Sequence, residues 1–114
     1  MLHWHGVENS ILDVATAVRP GLAIIDGIVG MEGDGPINGL PMKAGVLVFS
    51  TDPVAADVTA ATLMGIDPDR VPYLREAGKF LGKGDLDRIE QRGEDIARNT
   101  TRFAPAPGFE RLST

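Results

Sequence analysis

The sequence predicts an α/β fold, a small mixed or parallel sheet packed against helices, and two observations carry that expectation. Residues 22–25 (Leu-Ala-Ile-Ile) and 46–49 (Val-Leu-Val-Phe) are unbroken apolar runs. They have the length of strands and no wet face, as expected of strands covered on both sides. The second run leads into Ser50-Thr51-Asp52-Pro53. Here Asp52 is placed to cap a helix and Pro53 to occupy its first position, where a missing N–H costs nothing. At 114 residues the chain suits one hydrophobic core, so residues 1–114 are read as a single domain or lobe.

The elements follow in order. Over residues 5–18, Val7, Ile11, Val14, Ala15 and Val18 recur at helical spacing, with Glu8, Asn9 and Asp13 on other faces. Arg19 suits the negative end of that helix, and Pro20-Gly21 stop it. After the first strand, residues 26–39 hold five glycines and three carboxylates, with Pro36 inside and Pro41 just beyond. This composition predicts a long acidic loop rather than a regular element. The helix from Pro53 to about Met64 is rich in alanine (Ala55, Ala56, Ala60, Ala61), which permits close approach to a sheet, and Gly65 suits its left-handed end. Asp67-Pro68 repeats the cap-and-proline signal and predicts a helix through Val71, Leu74 and Ala77 to about Gly78. Gly82 and Gly84 form a turn, residues 86–91 read as an edge strand or a short helix, and residues 96–114 read as a proline-bearing tail that wraps or dangles.

Composition removes several classes of function. A net charge of −5 opposes binding to a phosphate backbone, which depends on Lys and Arg displacing counterions, so nucleic acid is not an expected partner. With no cysteine, the chain offers no disulfide, no thiolate nucleophile and no iron–sulfur ligand. No apolar stretch approaches the ~20 residues that span a bilayer, so no membrane partner is expected and the expected location is cytoplasmic.

The residues that could carry chemistry are acids. Asp26 and Asp52 each end an apolar run, and ligands of open α/β sheets sit at the carboxyl ends of strands. With Glu32, Asp34 and Asp57 they form a candidate site for a polar small molecule or a divalent cation, since hard cations take oxygen ligands. Asp26, Asp34 and Asp57 are the metal candidates, although their spacing matches no calcium loop. His3 and His5, two apart, would face one side of a strand and form a separate candidate pair. Plainer roles compete: Asp52 as a helix cap, Asp26 as a turn former, and His3 and His5 as packing around Trp4. A phosphate cradle is not expected, because Gly30-x-x-Gly33-x-Gly35 fits neither glycine-rich fingerprint and Glu32 and Asp34 would repel an anion.

Four blocks together resemble a known family. Ile25-Asp26-Gly27-Ile28, Met31-Glu32-Gly33-Asp34-Gly35-Pro36 with Gly39, Asp52-Pro53-Val54-Ala55-Ala56-Asp57 and Leu63-Met64-Gly65-Ile66-Asp67-Pro68 are similar, in order and spacing, to the C-terminal part of the domain-of-unknown-function family three-six-two. The resemblance runs from about Leu12 to Gly93. It implies an uncharacterised protein, some of whose relatives carry iron–sulfur modules; no cluster ligand carries over to this chain. Family domains are longer, so the resemblance implies a C-terminal lobe completed by an N-terminal half, a partner subunit or a second copy. Two functions are therefore expected to compete: a carboxylate-rich binding lobe, alone or as part of an enzyme, and a non-catalytic scaffold or oligomerisation module.

Overall fold

The computed structural model describes residues 6–114. Helix α1 (Val7–Val18) leads into strands β1 (Ala23–Asp34) and β2 (Asn38–Ser50), then helix α2 (Pro53–Leu63). A 3-10 turn (Pro68–Arg70), helix α3 (Pro72–Phe80), a second 3-10 turn (Leu86–Arg88), the short helix α4 (Ile96–Asn99) and a last 3-10 turn (Glu110–Leu112) complete the chain. The α/β class holds: one sheet is backed by helices. His3 and His5 lie outside the described residues.

The sheet differs from expectation. β1 and β2 are the two arms of an antiparallel hairpin, with Ala23 opposite Ser50 and Asp34 opposite Asn38, so residues 26–39 are strand and tight turn rather than a long loop. Pairing across a short turn gives the glycine-dense residues a ladder of backbone bonds, which outweighs their poor strand propensity. The register slips between Gly27 and Val29, where Ile28 alone faces both Ala44 and Gly45. Gly45 takes a φ of +70°, which glycine alone adopts without strain, and the alternation of exposed and half-buried positions along β1 breaks at Ile28 and Val29. A single hairpin also cannot bury both faces of its strands: Ile24, paired with Phe49, stays exposed although both belong to the apolar runs.

α2 is the centre of the molecule. Val54, Ala55, Ala56, Val58, Thr59, Ala61 and Leu63 are all buried, so alanine and small β-branched residues let the helix lie close to the hairpin on one side and to α3 on another. Val54 and Val58 meet Ala77 of α3, and Leu12, Leu81, Leu86 and Ile89 close over them. The predicted third helix is broken in two. Pro72 pushes Val71 into extended backbone, so the 3-10 turn capped by Asp67 ends there and α3 restarts at Pro72. No third strand follows Leu86; that stretch is a 3-10 turn capped by Asp85.

The tail wraps. Leu63, Met64 and Gly65 at the end of α2 accept hydrogen bonds from the amides of Thr101 (2.7 Å), Phe103 (2.9 Å) and Thr114 (2.9 Å), which satisfies carbonyls that a helix end leaves unpaired. Arg70 adds two bonds from its guanidinium to the carbonyls of Arg111 and Ser113.

Candidate functional site

The five candidate acids occupy different parts of the fold, and three have defined structural partners. Asp52 sits where β2 turns into α2. Its Oδ1 accepts from the amides of Val54 (3.0 Å) and Ala55 (3.1 Å), and its Oδ2 accepts from the amide of Lys83 at 2.8 Å. The Ser50 hydroxyl accepts from the Asp52 amide and donates to the Asp52 carbonyl, fixing the same corner. One carboxylate therefore caps a helix and fastens the turn after α3 to it.

Asp26 lies on the exposed face of β1, and its Oδ1 accepts from the amide of Ile28, at the register slip, at 3.1 Å. Glu32 accepts from the amide of Ala104 at 2.8 Å, while the Ala104 carbonyl accepts from the amide of Gly33 at 2.8 Å. Asp34 lies exposed at the hairpin tip. Among the described residues no three His, Cys, Asp or Glu side chains gather as a metal-ligand set would.

Asp57 stands apart. Its neighbours Ala56 and Val58 are buried, whereas Asp57 itself is exposed on α2, within electrostatic reach of Tyr73 of α3. The protein packed around it disfavours the charged form and pushes its carboxyl above the ordinary range. Tyr73 of α3 is half-buried nearby; its phenol is pushed up first by burial, then by the negative charges of Asp57 and Glu8. Tyr73 and Glu8 are the members of this group that sequence reasoning missed. Tyr73 is the sole tyrosine of the chain, but its proximity to Asp57 comes from helix packing and leaves no mark in spacing.

A half-open groove of about 500 Å³ runs between β2, α2 and residues 91–99. At its floor the Gln91 side-chain amide donates to the hydroxyl of buried Thr59 at 3.3 Å, and Asp95 on its wall caps α4.

A hairpin backed by an alanine-rich helix, with acids built into its cap, its bulge and its tail contact, defines the chain as an α/β lobe. The chain belongs to the family described as Domain of unknown function (DUF362), which matches residues 1–62. That match takes in the Asp26, Glu32–Asp34 and Asp52–Asp57 blocks; the block at residues 63–68 lies beyond it. A thylakoid-associated protein of Synechocystis sp. (strain ATCC 27184 / PCC 6803 / Kazusa) is 37% identical over 64 residues, which are 56% of this chain and 20% of that protein. The chain thus spans about a fifth of the length of that relative. No solved structure matches. No helix among the described residues is long and apolar enough to cross a membrane.

Proposed function

We propose that this chain is a docking lobe of a larger DUF362 assembly, and that its occupant is polypeptide equivalent to the part of the relative it does not span. The observation that carries this reading is the outer face of the hairpin. Ile24 and Phe49, opposite one another, are 60% and 63% exposed, and Leu47, opposite Asp26, is 51% exposed. Contiguous apolar side chains of this kind cost free energy when left in water and mark association surfaces. Asp26, Glu32 and Asp52 serve the lobe's own turns, tail and cap, which fits a scaffold role.

The experiment is a titration of the chain with the separately expressed remainder of the thylakoid-associated relative. A saturable complex that the double substitution Leu47→Asp, Phe49→Asp abolishes is the expected result. No complex with the wild-type chain would overturn the reading, and a concentration-dependent homodimer would assign the face to a second copy instead.

A second reading, a carboxylate site for a divalent cation or polar small molecule drawn from Asp26, Glu32, Asp34, Asp52 and Asp57, is supported by one feature: the raised carboxyl of Asp57 beside Tyr73 and Glu8. Perturbed titratable groups concentrate at functional sites, though packing perturbs them too. Melting with and without Mg²⁺, Ca²⁺ or Mn²⁺ separates the readings, because a ligand selective for the folded state must raise the midpoint. A rise lost in Asp57→Asn would favour the site; unchanged midpoints would leave docking.

A further inference from the structure

The tail contact has the features of a peptide-binding site occupied by the chain's own residues. Residues 101–104 form neither helix nor strand, and they run between the C-terminal end of α2 and the distal part of β1. Their backbone is held on both sides. Leu63 and Met64 accept from the amides of Thr101 and Phe103, Glu32 accepts from the amide of Ala104, and the Gly33 amide donates to the Ala104 carbonyl. Between those bonds the Phe103 ring is 6% exposed. It lies over Gly30, where an added Cβ would stand 2.8 Å from ring carbon Cε2, so the absence of a side chain at residue 30 is what admits the ring. Pro105 follows, which has no amide to extend the pairing. A main-chain bond to the edge of β1 combined with a pocket for one side chain follows the recognition mode of strand-edge peptide sites.

We propose that this trough is a binding groove for a peptide carrying an aromatic residue followed by a small one, filled in the resting chain by residues 101–104 and able to take the same segment from a second copy. The approach to the tail permits the exchange. Residues 90–95 are all exposed, and the links that must release for the exchange include the Gln91 bond to Thr59 and the packing of α4 on α2. Within one chain the tail acts at the high effective concentration of a tethered ligand, so the groove is closed to dilute competitors until the tether lets go.

The test uses the full chain. Phe103→Ala should vacate the groove, and a synthetic peptide of residues 100–114 should then bind saturably, while the same peptide with Phe103→Ala should not. The unaltered chain should bind the peptide more weakly by about tenfold or more, because its own tail competes. A folded Phe103→Ala chain that ignores the peptide, or that binds both peptides alike, would overturn the proposal. If that variant fails to fold, hydrogen exchange on the unaltered chain decides. The amides of Gly33, Thr101, Phe103 and Ala104 should open together and faster than those of α2; exchange at the α2 rate would mean that the tail never leaves, and the groove would be ordinary core.

Discussion

The carboxylate of Asp52 accepts a 2.8 Å hydrogen bond from the backbone amide of Lys83, 31 residues away, while its other oxygen caps α2. The contact ties the turn after α3 to the strand–helix corner that begins the family's third sequence block. Replacing Asp52 by alanine removes a cap and a charge-assisted bond at once and leaves three amides without their acceptor. A loss of about 2–3 kcal/mol in unfolding free energy is expected from those two terms, with Asp52→Asn recovering part of the cap. Chemical denaturation of the two variants measures it; a loss below about 0.5 kcal/mol, within the range of ordinary surface substitutions, would show that water replaces the carboxylate without cost.

Gly82 belongs to the same contact. A Cβ there would collide with the Asp52 carboxylate, so Gly82→Ala must drive that side chain from its place. The expected cost resembles that of Asp52→Ala, and in an Asp52→Ala background the second substitution should cost little. A double-mutant cycle therefore should show a coupling of about 2–3 kcal/mol, at the upper end of the range of directly interacting residues. Additive losses would place the damage from Gly82→Ala in the turn backbone.

Asp52 also marks how far the sequence could be read. Its capping role, the starts at Pro53 and Pro68, the α/β class and the helix α1 are local signals that the structure bears out, although the apolar stripe of α1 (Val7, Ile11, Val14 and Val18) stays exposed instead of packing on the fold. The hairpin was not legible because its evidence is non-local. The glycines that look like a loop serve pairing and close approach, as Gly30 does for Phe103, which lies more than seventy residues along the chain. The same holds for the acids. The spacing has Asp26 and Asp52 converge if their strands run parallel, whereas in the antiparallel hairpin Asp26 stands within β1 opposite Leu47, Asp52 lies beyond Ser50 at the end of β2, and each accepts from a local amide. Glu32, read as part of a ligand site, meets a tail that no local pattern assigns to it.

The junction of Asp57 with Tyr73 predicts a pH dependence with a definite sign. The folded chain holds the Asp57 carboxyl above its ordinary value of 3.8, so the folded state binds the proton more tightly than the unfolded state. That contribution to stability is fully present below 3.8 and is lost as pH rises through the raised value. Asp57→Asn should therefore stabilise the chain at neutral pH relative to wild type, with the difference shrinking as pH falls toward 3.8. Tyr73 follows the same sign from its ordinary value of 10.0 upward. As the sole tyrosine it gives a clean phenolate absorbance, and its midpoint should move down toward 10.0 in Asp57→Asn and by less in Glu8→Gln. An unmoved midpoint in Asp57→Asn would remove the charge of Asp57 as a cause.

Phe49 is the larger side chain, yet Val58 should matter more to stability. Val58 is 1% exposed at the centre of α2, and truncation to alanine removes two buried methyl groups and leaves a cavity, at an expected cost of about 2 kcal/mol. Phe49 is 63% exposed on the outer face of the hairpin, so Phe49→Ser should cost less than about 1 kcal/mol, confined to strand propensity and its cross-strand contact with Ile24. Denaturant midpoints for the two variants, measured at two protein concentrations tenfold apart, test the ordering. A Phe49→Ser loss that matches the Val58→Ala loss and grows with concentration would mean that the hairpin face is already covered by a second copy. A large loss independent of concentration would mean that the face is covered within one chain, and the docking surface proposed for it would have to lie elsewhere.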